Sequence, residues 1–423
     1  MERVHEDVAC TACGCVCDDL RITVADGRIT RAENACLLAE PWLLGQGTRR
    51  PPIAEVSGKP VTLDEGMAAA AEILTQANAP LIYGLSRSST PGQREAVRLG
   101  DRLGATVDTT ASLCHGPSII ALQGVGESTA TLGELRHRAD LVIFWGSNPA
   151  QSHPRHFERY SLHPPSMFLP RGREDRTLVV VDVRPTASSA EADLFVQVEE
   201  GADFEALWTL RALVNDRPVV RSAHVGASFA QLEELAQRMK ACRCGVVYFG
   251  LGLTTGDMGH CHVDALLRLV EDLNAYTRFH ARRMRVYGDV AGADSVLCWQ
   301  TGFPFSVNLA RGYPRYNPGE YTANVLLARG EVDACLLVGS EGIAGLSAES
   351  IAQLQRIPTI VLDYAEVESP VTPTVRFTTA AYGIHLPGTA YRMDEVPIPL
   401  RAVLSSEYPS DETVLRGIRQ RLG

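Results

Sequence analysis

A chain of 423 residues, 45% hydrophobic and 21% charged, has a globular composition and is long enough for two or three domains. A formal net charge of −10 with no basic tract counts against nucleic acid as a partner. No run approaches the roughly eighteen apolar residues of a membrane span, and the opening Met1–Asp7 does not read as a signal peptide.

The first informative element is a thiol cluster: Cys10-Thr-Ala-Cys13-Gly-Cys15-Val-Cys17, with Cys36 delivered after a strand-like stretch that turns at Asp26-Gly27. Thiolates crowded this closely let the backbone wrap one soft-metal centre. Four-thiolate zinc sites usually show two Cys-x2-Cys knuckles, and here one pair has that spacing. An iron–sulfur cluster therefore fits better and zinc is the alternative, with Cys15 expected to point away. The chain has 11 cysteines in all, an odd count that fits a reducing cytoplasm and metal binding rather than disulfides. Of its 40 basic residues the only lysines are Lys59 and Lys240. Such a bias points to a GC-rich bacterial source, and makes a surviving ammonium a small signal, because Arg is not equivalent to it.

A connector over 41–52 and a Gly58-Lys59 turn precede a helix expected over 64–76, capped by Thr62. Short apolar runs at 80–83, 105–108, 141–144, 178–181, 245–249, 334–338 and 359–362 have buried-strand length. Helical patterns at 91–103, 204–214, 232–240 and 263–277 lie between several of them. That alternation predicts an α/β chain with two doubly wound parallel sheets.

Ligands bind such sheets at the carboxyl ends of strands. There the sequence offers Gly146, Asn148, Pro149, His153, Arg155 and His156 after 141–144, and Asp182 and Arg184 after 178–181. Gly250 and Gly252 follow 245–249, and Gly339 follows 334–338. Small residues allow close backbone approach to a phosphate, so a dinucleotide-like ligand is expected, although Gly-x-Gly-x-x-Gly is absent. Cys114-His115 opens a small-residue loop after 105–108 and can serve as nucleophile with base or as a metal thiolate. The aperiodic aromatic stretch 299–321 reads as a binding loop in which Arg311 and Arg315 hold an anion. Gly259-His-Cys-His262 is expected to be packing.

Taken together, the motifs at 10–19, 111–117, 145–156, 171–177, 311–320 and 388–394 resemble the B-type subunit of formylmethanofuran dehydrogenase, a relative of the molybdenum/tungsten bis-pterin oxidoreductases. The resemblance implies a small iron–sulfur domain (1–55), an α/β domain of 56–130 with 281–423 carrying the Cys114 and 299–321 loops, and a pterin-nucleotide domain (131–280). The β-barrel cap of single-chain relatives would be absent. It further implies a 4Fe–4S cluster on Cys10, Cys13, Cys17 and Cys36, and Cys114 as protein ligand to tungsten or molybdenum held by two pterin guanine dinucleotides. His115 and Arg311 or Arg315 would act on the one-carbon substrate, and Lys59 would lie between cluster and pterin. The strand-end loops would hold the nucleotides. Partners would be an amidohydrolase-like subunit, a C-type subunit, and a pterin-cap subunit or formyltransferase. The alternative is the non-redox, structural B-type subunit of the bacterial formyltransferase/hydrolase complex, in which the pterin metal can be absent.

Overall fold

Glu2–Val8 (β1), Leu20–Ala25 (β2) and Arg28–Glu33 (β3) form an antiparallel sheet, as the computed structural model of residues 2–220, 226–256 and 258–423 describes. The turn between β2 and β3 is Asp26-Gly27, both with positive φ, which suits a twisted two-residue hairpin. Ala54–Val56 (β4) and Lys59–Val61 (β5) repeat the device through Ser57-Gly58. The helix Leu63–Gln76 follows, and Thr62 and Glu65 close a reciprocal capping box at its start. Pro80–Gly84 (β6) and Thr106–Thr109 (β7) are the next two strands.

The chain then builds a second sheet from Leu141–Trp145 (β8), Thr177–Asp182 (β9), Leu194–Gln197 (β10), Cys244–Phe249 (β11) and Arg278–Arg283 (β12). All neighbours are parallel, in the order β10-β9-β8-β11-β12. Strand order reverses between β8 and β11, which creates a crevice at their carboxyl ends. Ile143, Trp145, Val179, Val247 and Phe279 point to one face and pack against Leu207, Leu210, Leu266 and Leu269 of the helices Asp203–Val214 and Gly259–Leu273.

Val307–Asn308 (β13), Arg315–Tyr316 (β14), Ala334–Val338 (β15), Thr359–Tyr364 (β16) and Val375–Thr379 (β17) return to the first sheet, which runs β14-β13-β7-β6-β15-β16-β17-β4-β5. Its central five strands are parallel, and antiparallel hairpins close both edges. Ile82, Leu336, Ile360 and Phe377 face one core; Leu81, Tyr83, Leu337 and Val361 face the other. Gly388–Tyr391 (β18) and Pro397–Leu400 (β19) make a separate pair. The contacts divide the chain into two units, Met1–Leu113 with Tyr287–Gly423, and Cys114–Val286. Both expected parallel sheets are present, so the fold is mixed α/β. Among the described residues no helix is long and apolar enough to cross a membrane.

The expected helix at 263–277 runs from Gly259 to Leu273 instead, and β12 follows it directly. Arg278-Phe-His-Ala-Arg-Arg283 gives no strand signal, because its charges find partners only in the fold. Arg282 donates to Thr129 Oγ1 at 2.9 Å, and Arg283 pairs with Glu127 at 3.1 Å where both side chains are buried.

Candidate functional site

In the first unit the cysteine loop is closed by two backbone bonds, Cys10 N–H to the Cys17 carbonyl at 2.8 Å and Val16 N–H to the Cys13 carbonyl at 3.1 Å. Val16 takes a left-handed φ of 36° and buries its side chain with Ala9, Tyr382, Ala390, Ile398 and Leu400. Met393 N–H holds the Gly14 carbonyl at 2.8 Å. Arg87, just after β6, holds the Thr11 carbonyl at 3.0 Å and pairs with Glu341 at 2.6 Å. The loop is thus fastened to the carboxyl edge of the first sheet.

Four thiols face one another on this scaffold. Burial pushes the Cys10 thiol well up, and Cys13, Cys17 and Cys36 push it further. Burial likewise raises Cys36, the most accessible of the four. Thiols in such surroundings ionise against a bound cation, and N–H donors already aim at them: Ala12 N–H lies 3.4 Å from Cys10 Sγ, and the Leu38 and Ala39 amides point at Cys36. Among the described residues no three Cys, His, Asp or Glu side chains converge as a single ion requires. Cys15, expected to point away, is instead buried beside Cys13 and Cys17. The left-handed Val16 and the 13–16 turn direct it inward.

Lys59 stands elsewhere. It is exposed on the edge strand β5 and pairs with Val56, which pairs with Val375 at the amino end of β17. The thiol loop is tied to the opposite, carboxyl edge, so the structure does not bring Lys59 to the thiols.

In the second unit three glycines meet at the β8/β11 crevice. Gly146 has φ 55°, and a Cβ there would sit 2.7 Å from the Leu253 nitrogen and 2.9 Å from the Gly252 carbonyl carbon. Only bare backbone permits this approach. On one side lies a cavity of about 200 Å³ lined by Gly146, Asn148, His153, Gly250 and Met284. On the other lies one of about 440 Å³ lined by Gly146, Asp182, Asp203, Gly252 and His262. Burial raises the Asp182 carboxyl above its usual range. Burial also raises Asp203, which accepts from Trp145 Nε1 at 2.7 Å. His262, expected to be mere packing, therefore contributes to a cavity wall.

Of the other strand-end residues, Pro149 is buried in the first turn of the helix Pro149–Ser152. Asn148 Oδ1 accepts from Ser188 N–H at 3.1 Å and Ser188 Oγ at 2.6 Å. Arg184 is exposed beside Asp182. Arg155 is engaged by Glu158 at 2.7 Å. His156 is enclosed by Phe144, Tyr160 and Tyr248, its Nδ1 2.9 Å from Ser161 Oγ. Neither Arg155 nor His156 lines the two cavities. In the first unit Gly339 lies under Arg87.

Cys114 is buried, and its carbonyl accepts from Thr254 Oγ1 at 2.8 Å. His115 is fully buried, with Nε2 3.0 Å from the Met284 carbonyl and Nδ1 3.0 Å from Ser118 Oγ. A carbonyl only accepts, so Nε2 carries the proton and Nδ1 accepts from Ser118. Burial, then the charges of Arg285 and Arg283, lower the His115 pKa to about 3. His153 Nε2 donates to the Arg285 carbonyl at 2.7 Å, and burial lowers its pKa to about 4. Both imidazoles are neutral near pH 7 and both grip the strand end that carries Arg283 and Arg285.

Within the second unit the cations facing His115 are Arg283 and Arg285. Arg311 and Arg315 belong to the β13–β14 hairpin of the first unit, where Arg311 is exposed near the tip and Arg315 bonds Asn308 Oδ1 and lies over the Tyr321 ring. Phe303 of this segment stacks on Tyr316 at 5.0 Å, whereas Trp299 and Tyr313 are exposed. Asp108 fastens the segment by accepting from Ser306 and Ala323 amides. Arg283 and Arg285 were missed because a charged run without period-2 alternation hides a buried strand end. The signal available was the density of arginines at 278–285.

No family model matches the chain. It is 39% identical over 411 residues, 96% of this chain and 94% of the relative, to the B-type subunit of the tungsten-containing formylmethanofuran dehydrogenase 2 of Methanocaldococcus jannaschii. Among solved structures it resembles a chain of the formyltransferase/hydrolase complex (FhcABCD) of Methylorubrum extorquens in complex with methylofuran, at 25% identity, TM-score 0.70 and coverage of 87% of this chain and 98% of that one. Acetylene hydratase of Pelobacter acetylenicus shares the fold, with TM-score 0.71 over 98% of this chain and 69% of that one at 11% identity.

Proposed function

The chain belongs to the family of B-type subunits of formylmethanofuran dehydrogenase, and we propose that it is the redox subunit of such a complex, interconverting carbon dioxide and formate. The observation that carries this reading is the buried Cys114 next to a neutral His115 faced by two buried arginines. In this reading Cys10, Cys13, Cys17 and Cys36 hold a 4Fe–4S cluster in an N-terminal segment. The single Cys-x2-Cys spacing among these four thiols supports a cluster over zinc. Gly146, Asn148, His153, Gly250, Asp182 and Gly252 hold pterin guanine dinucleotide. The bare backbone of the glycines suits pyrophosphate and the Asp182 carboxylate suits base or ribose hydrogens. Gly339 belongs to the corresponding strand end of the first unit.

When bound, the pterin-held tungsten or molybdenum supplies the two-electron chemistry in which carbon dioxide, two electrons and a proton give formate. Cys114 would be the protein thiolate of that centre. Arg285 supplies positive charge for the carboxylate of formate, in a buried setting that strengthens the contact, while Arg283 is already paired with Glu127. His115 fixes the strand end through Met284 and so sets where the two guanidinium groups stand. Since its Nε2 proton is committed to a carbonyl, it serves as a positioning group rather than a mobile acid near pH 7. The soft-metal chemistry fits a reducing cytoplasm. Partners would be an amidohydrolase-like subunit that joins formate to the furan amine, a C-type subunit, and a pterin-cap subunit or formyltransferase.

The likeness to the Methylorubrum complex favours a second reading, an assembly subunit without redox turnover. Anaerobically purified complex separates the two. Carbon dioxide reduction to formate with a low-potential dye, abolished by Cys114→Ser, supports the redox subunit. Formyl-furan hydrolysis without any dye-linked activity, unaffected by Cys114→Ser, supports the assembly subunit.

A further inference from the structure

Glu341 follows the left-handed Gly339 at the end of β15, and Asp363 of β16 sets its place. The Asp363 carboxylate accepts from Ser340 N–H at 2.8 Å and from Ser340 Oγ at 2.6 Å. From there the two oxygens of Glu341 reach in different directions. Oε2 accepts from Arg87 Nε at 2.6 Å, and Nη1 of the same guanidinium donates to the Thr11 carbonyl at 3.0 Å. Oε1 accepts from the Tyr364 hydroxyl at 3.3 Å, whose oxygen accepts from Trp42 Nε1 at 3.1 Å. Thr11 lies between Cys10 and Cys13. Trp42 belongs to the short helix Ala39–Leu44, where the Ala39 and Glu40 amides close on the Cys36 carbonyl at 3.0 and 2.9 Å. One carboxylate thus ties both pieces of the thiol site, the 10–17 loop by one oxygen and the Cys36 turn by the other.

We propose that Glu341 is a positioning residue of the four-thiol site, holding Cys36 in register with the three ligand thiols of the 10–17 loop. The inference rests on the reading that Cys10, Cys13, Cys17 and Cys36 hold a 4Fe–4S cluster. Those thiols come from two stretches of chain separated by the β2–β3 hairpin, so their spacing is set by tertiary contacts. A cluster needs all four sulfurs in place at once, and the groups behind the ligands put them there. The two arms of Glu341 differ in strength. The Arg87 arm is an ion pair at 2.6 Å, whereas the other is a hydroxyl relay with bonds of 3.3 and 3.1 Å. Cys36, on the weaker arm, is also the most accessible of the four thiols. The iron it binds is therefore the first to leave when that arm is cut. Gly47 N–H, 2.8 Å from Glu366 Oε1, holds the far end of the same turn without Glu341. Cutting the arm therefore loosens Cys36 without releasing the whole segment.

The test is iron analysis and electron paramagnetic resonance, after ferricyanide titration, of anaerobically purified complexes carrying wild type, Tyr364→Phe, Trp42→Phe and Glu341→Ala. Loss of one ferrous ion, with one electron passed to ferricyanide, turns an oxidised 4Fe–4S cluster into an oxidised 3Fe–4S cluster with its own resonance. Tyr364→Phe should raise the ratio of 3Fe–4S to 4Fe–4S clusters about fivefold, the equivalent of one hydrogen bond. Trp42→Phe cuts the same arm and should match it, and the double variant should go no further. Glu341→Ala cuts both arms and should lose more iron than either. An unchanged cluster ratio in Tyr364→Phe, or unchanged iron in Glu341→Ala, overturns the inference and leaves the cluster reading intact. Whole clusters lost in step with the unfolded fraction, without a 3Fe–4S resonance, mark a purely structural role and also overturn it. Wild-type complex without iron overturns the cluster reading, and this inference with it.

Discussion

Both parallel sheets reverse strand order once, between β6 and β15 and between β8 and β11, yet they treat the resulting crevice in opposite ways. At β8/β11 the glycines leave cavities of about 200 and 440 Å³ on either side of Gly146. At β6/β15 the Arg87–Glu341 pair, with Tyr364 3.3 Å from Glu341 and Trp42 3.1 Å from Tyr364, leaves about 20 Å³. That is room for little more than one water. The same Arg87 reaches on to the Thr11 carbonyl. Topology supplies a crevice in each case, and side chains decide its use: one is left open, the other is filled and anchors the thiol loop.

Placing a side chain at the open crevice should have the largest effect. Gly146→Val combines a positive φ with backbone 2.7 Å from the new Cβ, and should cost about 3 kcal/mol or more. Thermal unfolding of the complex would register it, together with loss of nucleotide released on denaturation. Emptying the closed crevice should come next. Arg87→Ala strips Glu341 and Thr11 of their partner at once, a cost of about 1–3 kcal/mol, and should lower iron retention while leaving nucleotide content unchanged. Equal losses of iron and nucleotide would break the contrast between the two crevices.

Acid should act on the second unit through its buried imidazoles. His153 has a folded pKa of about 4 against an unfolded value near 6.5. Between those values the unfolded chain binds the extra proton, so stability is full above about pH 6.5 and falls as pH drops toward 4. His153→Gln keeps a donor for the Arg285 carbonyl and should flatten the slope, removing an acid loss of the order of 3 kcal/mol. Comparing unfolding of the two proteins at pH 7 and pH 4.5 isolates this contribution from those of the buried carboxyls, whose raised values act in the opposite sense. The smallest effect is expected at Lys59. An exposed edge position predicts that Lys59→Arg changes stability by less than about 0.5 kcal/mol and leaves the cluster midpoint where it is.

Much of the scaffold was legible because it follows from periodicity and caps. The apolar runs at 80–83, 141–144, 245–249 and 334–338 are strands, and Thr62 caps its helix with Glu65 in the third position. What escaped depends on contacts made across the sequence. β12 looks like solvent-facing chain until Glu127 pairs with Arg283 and Thr129 accepts from Arg282. Cys15 looks like a spare thiol until Val16 turns it inward. At the candidate site, residue type drew attention to Cys114, His115 and the strand-end glycines, whereas Arg283 and Arg285, which face His115 within the second unit, gave no sequence signal beyond their density. Lys59 drew notice through its rarity, a property of composition that carries no information about position.

The central claim is that the first unit holds iron and the second takes part in holding a pterin-bound heavy metal. Metal and pterin analysis of the anaerobically purified complex tests it most directly. The account predicts about four irons with one tungsten or molybdenum and guanine nucleotide per copy of this chain. Cys114→Ser should lose the heavy metal and keep the iron. Intact, assembled complex with neither iron nor heavy metal would contradict it and leave the chain as a scaffold.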